Sequence, residues 1–161
     1  STLTSEKAVA LFEKFGIYTK AELESREEII YETYAKTINI EALTMIDMAG
    51  KQIIPAVVKY TKTLADTANA IKAAGGDASV QTELLADVST KLAAMQKELN
   101  KLVADEKEAS AMEDVKAQAF FYKDTIKATM DELRKPADEL EMIVDKDVWP
   151  IPTYGELMFE V

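Results

Sequence analysis

Residues 19–77 read TKAELESREEIIYETYAKTINIEALTMIDMAGKQIIPAVVKYTKTLADTANAIKAAGGD, and the reading of this stretch decides the fold. It opens on a capping box: the Thr19 hydroxyl can accept from an orphan amide of the first turn, and Glu22, three residues on, reaches back to the cap. Tyr18 and Leu23 stand where a hydrophobic staple places its two members. No stop signal follows until Gly75-Gly76-Asp77, so the pattern predicts one helix over 19–74, about 80 Å long. Pro55 interrupts it, because its ring removes one amide and clashes with the preceding turn; a kink is expected near Gln52 to Pro55. Upstream, Ile38, Ile40, Leu43, Met45, Ile46 and Met48 face nearly every direction, and a helix apolar all round is expected to be buried all round.

Working outward, Gly75-Gly76-Asp77 reads as a tight loop that makes its flanking helices antiparallel neighbours. The next helix, over 78–109, carries a seam of Leu85, Val88, Leu92, Met95, Leu99 and Leu102, the alternating three-and-four spacing of knobs-into-holes packing. Lys91, Lys97, Glu98, Lys101 and Asp105 lie opposite and read as solvated. Ser110 with Glu113 reads as a second capping box, starting a third long helix over 111–145. Its seam is Val115, Ala119, Tyr122, Ile126, Met130, Leu133, Ala137, Leu140 and Val144, and Pro136 should bend it. Phe120, Phe121 and Tyr122 are adjacent and cannot all face one core. Before Thr19 a short helix over 5–15 ends at Gly16. The expectation is therefore an all-α fold in one domain spanning 1–161. It is an up-down-up bundle of three long helices, the first kinked at Pro55, with a short N-terminal helix and an extended apolar tail over 146–161. The first long helix outruns the second, so its opening half should project, with the short helix and the tail left to cover it.

The 161 residues, 48% of them hydrophobic, suffice for one well-cored domain. A net charge of −10 repels phosphate backbones and anionic lipid, so nucleic acid and membrane surfaces are not expected partners. The chain has no cysteine and no histidine. It therefore has no disulfide, no thiolate nucleophile and neither of the commonest transition-metal ligands, and this composition fits a cytoplasmic setting. No apolar run approaches a membrane span, and no signal-peptide pattern opens the chain. Its first residue, Ser1, reads as the start of an excised fragment.

Nothing in the sequence announces chemistry. Glu27-Glu28, Glu139-Glu141 and Asp145-Asp147 read as solvated helix faces, Gly75-Gly76 lacks the context of a phosphate loop, and serines and threonines fall mostly at helix starts. No catalytic, cofactor-binding or metal-ligating residue is expected. Two sets of residues point instead to contact surfaces. Asn39, Glu41, Thr44 and Asp47 are polar residues within the all-round apolar stretch. They read equally as internally hydrogen-bonded, to the tail or to Arg26, and as contacts to a neighbouring domain. The tail, VDKDVWPIPTYGELMFEV over 144–161, carries Trp149, Ile151, Tyr154, Leu157, Met158 and Phe159, each worth roughly 1.5 to 3 kcal/mol when buried. Pro150 and Pro152 give it an extended path, along which it either closes its own core or docks on another domain or subunit. Asn39, Glu41, Thr44, Asp47, Trp149, Tyr154 and Phe159 are thus the candidate interface residues.

Two segments also carry a resemblance. TINIEALTMIDMA (37–49), followed by Ile53-Ile54-Pro55-Ala56, and DKDVWPIPTYGELMFEV (145–161) resemble the C-terminal helical region of type III glutamine synthetases, with the similarity running from about Ala8 onward. The resemblance implies a parent enzyme that ligates ammonia to glutamate with ATP and Mg or Mn, in ring oligomers. The catalytic barrel would lie upstream of Ser1, so no cofactor is expected in this fragment. Its implied partners are its own catalytic domain and sister subunits, and its implied job is packing on the barrel and shaping the oligomer. The competing reading from the residues is a free-standing acidic helical-bundle interaction module.

Overall fold

A computed structural model of the chain describes residues 2–152 and 154–159, Tyr154 by its backbone alone. Among the described residues there are seven α-helices and no strand. The first, α1 (Glu6–Lys14), starts at Ser5, whose hydroxyl accepts from Ala8 N–H, and ends at Gly16 with φ +64°. There Gly16 N–H bonds to Glu13 O and Ile17 N–H to Phe12 O, the paired bonds of a Schellman cap that a left-handed glycine allows.

The expected capping box opens α2 (Lys20–Met48): Thr19 Oγ1 accepts from Glu22 N–H, and Glu22 Oε2 accepts from Thr19 N–H at 2.7 Å. Leu23 is fully buried behind it. At the expected kink the helix changes register rather than breaking. Ala49–Ile53 forms a π-helical turn, with Ile54 N–H bonded to Ala49 O, and α3 (Ile54–Ala73) follows with Pro55 as its second residue. A wider turn just before the proline spares its ring the clash with the carbonyl four residues back, and the missing amide falls where a helix start leaves amides unpaired. The end of α3 repeats the glycine cap: Gly75, φ +78°, donates to Lys72 O, and Gly76 donates to Ile71 O. Asp77 then takes the Ser79 N–H at 3.0 Å and closes the loop.

The central element is α4 (Ser79–Ser110), packed on one side by α3 and on the other by α6. Val88, Met95, Leu99 and Leu102 of its seam are buried, while Leu85 and Leu92 are half-buried against the same core. Its opposite face is less solvated than the sequence suggests. Asp105 accepts a 2.7 Å hydrogen bond from buried Thr129, and Lys91, partly covered, pairs with Asp87 and approaches Glu139 at 3.9 Å.

The third long helix departs from expectation at its start. Ser110 closes α4, donating to Glu106 O, and Asp114 caps the next helix by accepting from Ala117 N–H at 2.7 Å. An acceptor carboxylate in an extended residue suits the cap better than a serine still inside a helix. The run then reads α5 (Val115–Phe121), a π-helical turn at Tyr122–Ile126, and α6 (Lys127–Glu141), with Pro136 buried inside α6. The three adjacent aromatics divide: Tyr122 is buried, Phe121 half-buried and Phe120 exposed.

Helix α5 packs on the opening half of α2, the place the sequence reading gave partly to the tail. Tyr31 and Phe120 meet with ring centroids 6.1 Å apart, and Lys116 lies over the Tyr31 ring. Because α4 is shorter than α2 and α3 together, the chain returning at Asp114 lies alongside α2 and fills the space the sequence reading left to the tail. The tail packs further along. Val144 is buried; Val148 and Trp149 turn back onto Asp145 O and, with Ile151, pack on the core. The tail is not extended to its end: α7 (Tyr154–Phe159) forms beyond Pro152, where neither proline constrains the backbone any longer.

Candidate interaction surfaces

Helices α2 and α6 and the tail line an open groove of about 630 Å³. Ile40, Glu41, Thr44, Met45 and Met48 of α2 form one wall, and Met130, Leu133, Arg134, Ala137, Asp138 and Glu141 of α6 the other. Met95 of α4 lies at the base, and Trp149, Ile151, Pro152 and Leu157 close the end. Four of the chain's seven methionines meet here. Met45, Met95 and Met130 belong to the core or pack against it, so the helical period that builds the core also builds part of the groove.

The rim is charged. Arg134 Nε lies 3.2 Å from Asp138 Oδ2. Glu41, exposed, and Glu141, half-covered, have no ion-pair partner among the described residues. The perturbed titrations lie elsewhere. Glu22 is held below the usual carboxylate value by the Thr19 N–H and hydroxyl, and burial, helped by Glu106, raises the Tyr122 phenol.

Of the residues singled out in the sequence, Glu41, Thr44 and Trp149 come together in this groove. Thr44 Oγ1 is occupied by Ile40 O of its own helix at 2.8 Å. Asp47 points away and pairs with Lys51. Asn39 meets neither expected partner: its buried Oδ1 has no hydrogen bond among the described residues, and Arg26 stacks 4.3 Å over the Tyr18 ring instead. Phe159 is 79% exposed at the end of α7, and the Tyr154 side chain lies outside the described residues. The apolar stretch is not buried all round, since Ile40 is 66% exposed and Leu43 is exposed beside it. Met95, Met130 and Leu133, read from the sequence as core seam, Glu141, read as solvated, and Arg134, not singled out, also line the groove. Met95 and Met130, both on seams in the sequence, were the signal that could have found part of this set.

A second surface lies at the opposite end. The stripe of α1 is amphipathic, yet no residue of α1 is buried. Leu11, Phe15 and Ile17, with Ile29 and Ile30 of α2, leave five large apolar side chains in water at the start of the chain. No three histidine, cysteine, aspartate or glutamate side chains among the described residues gather as a metal site would need, and the groove is lined mainly by hydrocarbon and thioether. No helix among the described residues is long and apolar enough to cross a membrane.

Comparison with known proteins places these features in context. The model of the glutamine synthetase C-terminal domain matches residues 1–72. A glutamine synthetase of Butyrivibrio fibrisolvens is 38% identical over 159 residues, covering 98% of this chain and 23% of that protein. The type-3 glutamine synthetase of Dictyostelium discoideum is 31% identical over 165 residues, covering 99% of this chain and 22% of that protein. A glutamine synthetase of Bacteroides fragilis is 28% identical over 164 residues, again covering 22% of its length. The chain thus spans less than a quarter of the length of the curated relatives it matches.

Proposed function

We propose, for a chain that belongs to the glutamine synthetase C-terminal domain family, that it is the non-catalytic helical part of a type III glutamine synthetase. In this reading it seats on the enzyme's catalytic part and on sister subunits through the exposed apolar face of α1 and the start of α2. Ligation of ammonia to glutamate, with ATP and divalent metal, belongs to the rest of that enzyme, and this chain contributes surface rather than chemistry.

The observation that carries the reading is α1 itself. A nine-residue helix with an apolar stripe and no buried residue gains too little from its own chain to account for that stripe. Covering Leu11, Phe15, Ile17, Ile29 and Ile30 is worth several kcal/mol at about 25 cal/mol per Å². The residues also fall inside the family-matched segment, 1–72. Installing Phe15→Glu with Ile30→Glu in the full-length synthetase tests the proposal. The assembled oligomer should dissociate by native mass spectrometry, while the isolated chain with the same changes keeps its helical circular dichroism. Unchanged assembly would contradict the proposal.

A further inference from the structure

The groove between α2, α6 and the tail is a separate surface, because none of Leu11, Phe15, Ile17, Ile29 or Ile30 lines it. We propose that it receives the apolar side of a basic amphipathic helix from another polypeptide. This rests on the reading of the chain as an interaction domain, but not on the α1 face.

Two helices flanking an open apolar groove, with an indole in its lining, is the geometry into which a helix lays an apolar stripe. The lining suits an incoming side chain. Met45, Met48, Met95 and Met130 are unbranched and can re-pack around a guest, and Trp149 offers a rigid aromatic wall. The rim selects the charge of the guest. Asp138 is already paired with Arg134, whereas Glu41 and Glu141 have no ion-pair partner among the described residues. Lysine or arginine on the flanks of a docked helix would supply it.

A second copy is the wrong occupant. A second copy, itself at −10, offers the acidic rim no complementary charge. Its exposed helix α7, YGELMF, brings an acid and no base to an acidic rim. Helix α1, EKAVALFEK, carries two lysines against two glutamates, so it brings no net positive charge.

Trp149 is the chain's one tryptophan and stands in the groove wall, so its emission reports occupancy directly. The chain is titrated with a designed helical peptide bearing Leu and Phe at i, i+3, i+4 and i+7 and Lys and Arg elsewhere. A matched peptide with Glu at the charged positions serves as comparison. The basic peptide should shift Trp149 emission saturably and bind about tenfold tighter than the acidic one, with the preference falling as salt rises. Glu41→Lys with Glu141→Lys should abolish or invert that preference. Glu41→Lys alone, at an exposed position that leaves the fold intact, should reduce it roughly threefold. Equal binding of both peptides, or no shift with either, overturns the proposal. So does a Trp149 shift on raising protein concentration alone, which would make a second copy the occupant. Each of these failures leaves the Phe15 and Ile30 experiment on the full-length synthetase untouched.

Discussion

Trp149 and Phe159 are ten residues apart, equally aromatic in a sequence reading, and opposite in role. Trp149 packs half-buried against the core, whereas Phe159 stands in solvent. Trp149→Ala should therefore destabilise the chain by about 2–3 kcal/mol, below the usual cost for a fully enclosed tryptophan, and Phe159→Ala should change it by less than about 0.5 kcal/mol. Denaturant melts of the two variants check both. Asn39 makes a contrary prediction. Its buried amide oxygen has no hydrogen bond among the described residues, and such a group costs about 1–3 kcal/mol. Asn39→Leu, close in shape and apolar, should raise stability by about 1 kcal/mol; a loss of that size would mean the oxygen is satisfied after all. Tyr122 supplies a pH test. Burial, then Glu106, raises its phenol above the ordinary tyrosine value. The folded state therefore favours the protonated form, and this contribution is complete below the unfolded tyrosine value. It is lost as pH rises through the folded one. Tyr122→Phe should flatten the alkaline loss of stability in thermal melts across that range; an unchanged alkaline limb would contradict it.

At the scale of single elements, local chemistry sets the boundaries. The Thr19–Glu22 box is present as the sequence predicts, and Thr19→Ala should cost about 1 kcal/mol in denaturant melts. Glu22 is held below its ordinary value, chiefly by the Thr19 N–H and then by its hydroxyl. Its contribution is present above the unfolded carboxylate value and lost as pH falls through the folded one. Glu22→Gln should accordingly make the acid limb of the stability profile shallower. The glycine caps at Gly16 and Gly75 were equally legible, because a left-handed residue leaves a recognisable gap in the apolar period. The second π-helical turn was not, since Tyr122–Ile126 contains neither proline nor glycine and its register is set by packing against α2 and α4. The start of α5 was misread because Ser110 and Asp114 both belong to cap-forming residue types, and spacing alone could not choose between them.

For the whole molecule, the heptad seam of α4 and the stripe of the third helix run were enough to name an all-α bundle. The groove was not legible, because α2, α4, α6 and the tail contribute to it from positions as far apart as Ile40 and Leu157. Burial of α2 was overestimated for a related reason: composition cannot distinguish apolar residues that face the chain's own core from those that face another molecule. Ile40 and Leu43 are exposed in this chain, as are Leu11 and Phe15 at its start. We propose that this exposed apolar surface is made for contact. Sedimentation velocity of the chain at low and high salt tests it most directly. Like charge opposes association of a −10 chain and is screened within about 10 Å at 0.1 M salt, whereas apolar attraction is not screened. Self-association should depend on concentration, strengthen with salt, disappear in Phe15→Glu with Ile30→Glu, and leave Trp149 emission unchanged. A strict monomer at high protein concentration in both salts would contradict it.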